Sequence, residues 1–86
     1  MPAPDFLSER AIIARKINAA LGAKGRNSTK ASMTMVLARE IILTDNGDEG
    51  YYVECPHFSS TGLDPTATGA LAKFEECALA EIPTWE

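Results

Sequence analysis

The stretch Ile41-Ile42-Leu43-Thr44-Asp45-Asn46-Gly47-Asp48-Glu49-Gly50-Tyr51-Tyr52-Val53-Glu54-Cys55 decides the fold. Its centre, Asp45 to Gly50, concentrates turn formers between two β-prone runs, which is the local signature of a β-hairpin. Ile41–Thr44 and Tyr51–Cys55 are therefore expected to pair antiparallel. In the second strand Tyr51, Val53 and Cys55 point one way and Tyr52 and Glu54 the other, so one face is core and the other wet. Pro56 lacks an N–H and ends the strand or places it at an edge.

Upstream, Met33, Met35, Leu37, Ile41 and Leu43 alternate as in a half-buried strand, with Arg39 as the exception. Met33, Val36, Leu37, Glu40 and Ile41 fit one side of a helix as well. The strand is the preferred reading, and it makes Met33 and Met35 adaptable contacts on an edge open to pairing with another chain, hence to dimerisation. Ala23–Ser32, with Gly25 beside Lys24, Arg26 and Lys30, reads as a basic loop. Before it, Phe6, Ile13, Ile17, Ala20 and Leu21 share a helical face, capped by Asp5 or Ser8, which predicts a helix over Phe6–Leu21.

Downstream, His57–Leu63 suits a short third strand or an irregular crossing. Asp64-Pro65 then reads as a cap followed by proline at the first helical position. Leu71, Phe74, Ala78 and Ile82 repeat at helical spacing until Pro83, predicting a helix over Pro65–Glu81. Gly69 within it is expected to let the helix pack closely on the sheet. The expected fold is one α+β domain over residues 1–86, with an N-terminal helix, a two- to three-stranded antiparallel sheet and a C-terminal helix packed on it.

The 86 residues suffice for one domain, and 45% apolar with 23% charged residues is ordinary globular composition. Met1-Pro2-Ala3-Pro4-Asp5 has no basic stretch followed by an apolar one, so an intracellular, cytoplasmic protein without a membrane span is expected. The net charge of -4 is unevenly placed. Arg10 to Arg39 holds seven basic residues and no acidic one, whereas Glu40 to Glu86 holds ten acidic residues against Lys73 alone. Three readings follow. The two halves attract each other within the fold; or Arg15, Lys16, Lys24, Arg26 and Lys30 contact nucleic-acid phosphates; or the acidic half docks on a basic protein.

Catalytic chemistry finds little footing. Cys55, His57 and Cys77 are three soft ligands where a structural zinc site takes four at tight spacing, so no metal is expected. Cys55 and His57 lack a third orienting group for nucleophilic catalysis. Cys55 and Cys77 read instead as small core residues that stay thiols in a reducing compartment. The pairs Asp48–Glu49 and Glu75–Glu76 read as solvated surface. No glycine-rich phosphate loop occurs, so no cofactor is expected. Among the rings, Tyr51 and Phe58 read as core, leaving Tyr52 and Trp85 as interface anchors. The expected partner-binding set is Asp45, Asp48, Glu49, Tyr52, Glu54, Glu75, Glu76 and Trp85, facing a basic surface on a nuclease or nucleoprotein complex.

Gly50, Tyr51, Val53, Pro56, Thr66, Ala70, Leu71 and Glu76 stand in an order that resembles the HicB-like antitoxin domain over residues 41–80. The resemblance implies a non-enzymatic inhibitor that neutralises a small RNase toxin. This chain places a helix ahead of the first strand and shortens the segment between Pro56 and Thr66. Small acidic viral or mobile-element proteins that block host defence complexes, of the anti-CRISPR type, follow the same charge logic and form the alternative. The double-stranded RNA-binding domain shares the helix, strands, helix order, but the basic start of its last helix is absent, with Lys73 alone there.

Overall fold

The computed structural model describes residues 6–86, with side chains from Ser8 onward. The cap expected of Asp5 and the contact expected of the Phe6 side chain lie outside it. Helix α1 spans Phe6–Lys24, longer than the apolar spacing predicts, and Ser8 lies inside it. Its inner face is the expected one: Ile13, Ile17 and Leu21 are buried, joined by Ala14.

The segment 23–32 is not a loop. A 3-10 turn over Gly25–Asn27 leads into helix α2, Thr29–Met33, whose cap is Ser28, accepting from the Ala31 N–H at 3.1 Å. Nor is 33–41 a strand. Met33 closes α2, the chain runs extended through Thr34–Leu37, and a 3-10 turn occupies Ala38–Glu40. Val36 is buried while Met33, Met35 and Leu37 are exposed, so the inward side is the opposite of the expected one, and the extended segment pairs with a side chain. The Val36 N–H donates to Asn18 Oδ1 at 2.8 Å, and Asn18 Nδ2 donates to the Val36 carbonyl at 2.9 Å.

Strands β1 (Ile42–Asp45) and β2 (Tyr51–Glu54) form the expected antiparallel hairpin, with Leu43 opposite Val53 and Thr44 opposite Tyr52. The turn closes through Asn46 N–H to Gly50 carbonyl at 2.8 Å. Gly50 adopts φ 93°, and a β-carbon there would stand 2.6 Å from the Asp64 carbonyl oxygen, so both conformation and space require glycine. Both readings of 57–63 hold in part: the crossing after β2 is irregular, and β3 (Gly62–Asp64) then pairs with β2 to give the order β1-β2-β3.

Helix α3 spans Ala67–Glu81 and packs on β3 and β2, burying Leu71, Phe74 and Ala78, with Ile82 just beyond. The close approach of backbone to backbone is made at Gly62 of β3, and Gly69 is tight as well, against the side chain of Asp64 on the same strand. A β-carbon at Gly62 would overlap the Ala70 carbonyl and lie 2.7 Å from the Phe74 amide nitrogen. Gly69 instead faces the Asp64 carboxylate and the Thr66 hydroxyl.

The cap of α3 is Thr66 rather than Asp64, its Oγ1 accepting from the Gly69 N–H at 3.0 Å. Asp64 supports that cap from outside, accepting from the Thr66 N–H and hydroxyl, while the Lys73 ammonium sits 3.0 Å from its other oxygen. The Thr66 N–H foremost, then Lys73 and the Thr66 hydroxyl, hold the Asp64 carboxyl at about 2 against an ordinary 3.8. A carboxyl lowered by folding stabilises the fold fully above its unfolded value and loses that contribution as pH falls through its folded one. The stability gap between wild type and Asp64→Asn is therefore expected to be constant above about pH 4 and to shrink toward about pH 2. Thermal melts of both proteins across that window check it, and a gap independent of pH would contradict the assignment.

Candidate protein-binding face

Residues directly opposite in an antiparallel pair share a face, so the registers place Ile42, Thr44, Tyr52, Glu54 and Leu63 together on the outer face of the sheet. Helix α3 covers the other face. Ile42 and Leu63 are 43% and 53% exposed, which leaves aliphatic surface in water on both sides of the half-buried Tyr52. At one end of this face stands the turn with Asp45, Asp48 and Glu49, all exposed. Asp45 Oδ1 accepts from the Gly47 N–H at 2.9 Å, fixing the turn. Among the described residues Asp45, Asp48, Glu49 and Glu54 make no ion pair. Glu54 on this face and Asp48 and Glu49 at its turn end, with Asp45 bordering the turn from the other face, put unpaired carboxylates around a tyrosine and two aliphatics, a surface able to meet arginines and lysines.

The other acidic residues are arranged differently. Glu75 lies 3.3 Å from the Lys16 ammonium on α1, and Glu76 is exposed. Both stand on α3, behind the sheet from Glu54, so the acidic half does not form one continuous face. Glu81 turns inward. Its Oε1 accepts from the Ser59 and Ser60 N–H groups and the Ser60 hydroxyl, and its Oε2 from Trp85 Nε1 at 3.1 Å. Burial pushes this carboxyl up, and the donors from Ser60, Ser59 and Trp85 outweigh it, leaving it below the ordinary range.

Trp85 is not an exposed anchor. It is 7% exposed, lies 5.0 Å from the Phe58 ring between centroids, and carries the Lys30 ammonium 4.3 Å above its face. The aromatic cluster that also includes Phe74 claims it for the core. Its place depends on residues far away in the chain, which no local pattern reveals.

The basic segment is largely engaged with the chain itself. Lys16 pairs with Glu75, Lys24 donates to the Pro83 carbonyl at 3.2 Å, and Lys30 sits on Trp85. Arg15 and Arg26 are exposed. Three of the five residues considered for phosphate contact thus meet the C-terminal half, but only Lys16 does so through an acidic side chain. These contacts leave the hairpin carboxylates untouched.

Cys55 and Cys77 are both free thiols, but only Cys55 is buried. Cys77 is exposed, contrary to its expected core position, and borders an open groove of about 630 Å³ with Lys30, Ser60 and Thr61. The Glu81 carboxylate at that groove is already consumed by its four donors. Burial foremost pushes the Cys55 thiol up, and His57 Nε2 faces Glu40 at 3.2 Å. Cys55 and His57 are therefore not set up as nucleophile and base. Among the described residues no cluster of three or more metal-ligating side chains occurs, and no helix is long and apolar enough to cross a membrane. No protein-family model, no characterised protein and no solved structure matches this chain.

Proposed function

We propose that this is a non-enzymatic binding protein that docks its β1–β2 turn and the outer face of its sheet on a basic protein surface, inhibiting or regulating a nuclease or a nucleic-acid-handling complex. The observation that carries the reading is the set of carboxylates Asp45, Asp48, Glu49 and Glu54. They are exposed and without an ion pair among the described residues; Glu54 shares the outer face with Ile42, Tyr52 and Leu63, Asp48 and Glu49 stand in the turn at its end, and Asp45 borders that turn from the other face. The charge steers encounter and selects the partner, while the tyrosine and aliphatics supply the apolar contact. The order of strand, acidic turn, Gly50-Tyr51-x-Val53 strand and helix, which resembles the HicB-like antitoxin domain, supports an inhibitor of an RNase. A viral or mobile-element inhibitor of a defence complex would use the same surface against a larger partner. The two free thiols suit action in the reducing cytoplasm.

The test is a comparison of wild type with Asp48→Lys/Glu49→Lys/Glu54→Lys as immobilised bait in extracts of the producing cell. The captured partner is then purified, and both affinities are measured at two salt concentrations. Three charge reversals on an interface rim should weaken binding about ten-fold or more, with a clear loss for wild type at high salt. Unchanged affinity in a folded variant would remove the acidic-turn reading. Retention of DNA or RNA instead, lost on replacing Arg15 and Arg26, would favour the nucleic-acid reading.

A further inference from the structure

We propose that the free edge of β1 pairs with the same edge of a second copy of this chain, giving an antiparallel homodimer with one six-stranded sheet. It does not rest on the docking reading, but Asp48, Glu49 and Ile42 belong to both surfaces, so a docked basic partner and a second copy compete for the turn. The two edges of the sheet are treated unequally. At the β3 edge the strand is three residues long, the Leu63 carbonyl accepts from the Lys73 ammonium at 3.1 Å, and Pro65 follows at once. Lysine and proline of this kind prevent edge pairing. The β1 edge has four residues, Ile42–Asp45, without lysine or proline, each exposed or half-buried. Among the described residues its strand hydrogen bonds go to β2 alone.

The packing points the same way. Helix α3 lies over β3 and β2, so Leu43 on the inner face of β1 is only half-buried against the core. Ile42 on the outer face is exposed, and Met33, Met35 and Leu37 on the segment leading to β1 are 81%, 69% and 40% exposed. A second sheet added at this edge would cover Leu43.

Charge selects a second copy as the occupant. Arg39 stands exposed just before β1, and Asp45, Asp48 and Glu49 stand exposed at and after its end. A two-fold antiparallel pairing brings the beginning of each strand to the end of the other, so Arg39 meets the Asp48–Glu49 turn of the second copy twice. Facing residues must share a side of the sheet, which leaves Leu43 opposite Leu43 or Thr44 opposite Thr44 as the central pair. The first sets leucine against leucine and Ile42 against Thr44. The second sets Leu43 against Asp45 inside the paired strands, whereas the first leaves Asp45 just past the end of the partner strand, opposite Ile41, and gains the leucine pair, so the Leu43-centred register is favoured.

An edge of four residues makes a small interface, so a weak association with a micromolar or higher dissociation constant is expected. Sedimentation equilibrium of the full chain from about 10 μM to about 1 mM should show a species of twice the chain mass at the upper end. Arg39→Glu and Glu49→Arg should each weaken the dimer about ten-fold, and the double variant should recover most of the loss. Ile42→Lys, also at an exposed position, should weaken it independently and serves if either charge variant does not fold. A monomer throughout the range overturns the proposal, and so does a dimer insensitive to Arg39 and Ile42. Because Arg39 lies outside the docking face, loss of dimer in Arg39→Glu with partner capture intact would separate the two surfaces.

Discussion

Gly62→Ala is expected to destabilise the protein by about 3 kcal/mol or more, lowering its melting temperature by about 15 °C. The added methyl has nowhere to go. It would overlap the Ala70 carbonyl and come within 2.7 Å of the Phe74 amide nitrogen, both backbone atoms of α3, so no side chain can rotate aside. The helix must lift from β3 or the strand must leave β2, and either movement opens the core around Phe74 and Val53, two fully buried residues. Overpacking usually costs about 1–3 kcal/mol when side chains can adjust, and rigid backbone on the receiving side puts this site at the upper end or beyond. For a small domain with a total stability of about 5–15 kcal/mol that is a large fraction. Gly22→Ala is the control. Gly22 lies in α1 with open space around a β-carbon, so the same substitution should stabilise by about 0.5–1 kcal/mol. Denaturant titration of both variants checks the pair, and equal effects would show that the helix does not approach the sheet at Gly62.

What could be read from the chain before folding, and what could not, divides by the range of the interactions. The 41–55 hairpin is local: consecutive turn formers set the reversal and the alternation on Tyr51–Cys55 sets the faces. The buried stripes Ile13-Ile17-Leu21 and Leu71-Phe74-Ala78 are equally local, being one-helix periodicities. Helix α2 escaped because five residues are too few to show a period, although Ser28 ahead of it is a good cap residue. The 33–41 alternation points the wrong way over 33–37, since Val36 is buried and Met33, Met35 and Leu37 are exposed; the extended segment is held by the Asn18 amide, and no rule of spacing announces a side chain acting as a strand. Gly69 stands out in the sequence as the helix's interior glycine and does lie tight against Asp64 of β3, whereas the backbone-to-backbone contact is made by Gly62 on the strand, which no helical pattern announces.

The candidate site divides in the same way. The carboxylates of the turn were legible because turns are exposed by construction. Lys16–Glu75, Lys24–Pro83 and Lys30–Trp85 join residues more than fifty positions apart, and these contacts remove Glu75 and Trp85 from the free surface. The uneven charge along the chain therefore serves two ends. Part of it fastens the first helix and the α2 region to the C-terminal half, and the part with no basic counterpart remains in the turn. The unpaired remainder carries the functional reading, since paired charge offers a partner little.

Asn18→Ala should cost about 2–4 kcal/mol, the second large effect, because it strips the partners from both the N–H and the carbonyl of Val36. Val36 is 1% exposed, and its N–H and carbonyl are held by opposite ends of one amide, at 2.8 and 2.9 Å. Alanine leaves a donor and an acceptor buried and unpaired, each costing about 1–3 kcal/mol less whatever water recovers. Asn18→Asp separates the two halves of the clamp. The carboxylate still accepts from the Val36 N–H but sets negative charge against the Val36 carbonyl, so it should fall between wild type and alanine. Hydrogen exchange at the Val36 amide reads the clamp directly: protection should vanish in Asn18→Ala and survive in part in Asn18→Asp. The consequence reaches the apolar strip that leads into β1, since Met35 and Leu37 keep their places only while Val36 between them is anchored. Loss of the clamp should therefore also raise binding of a hydrophobic dye. A variant with wild-type stability and an intact Val36 amide would mean that the extended segment is held by the Val36 side chain alone.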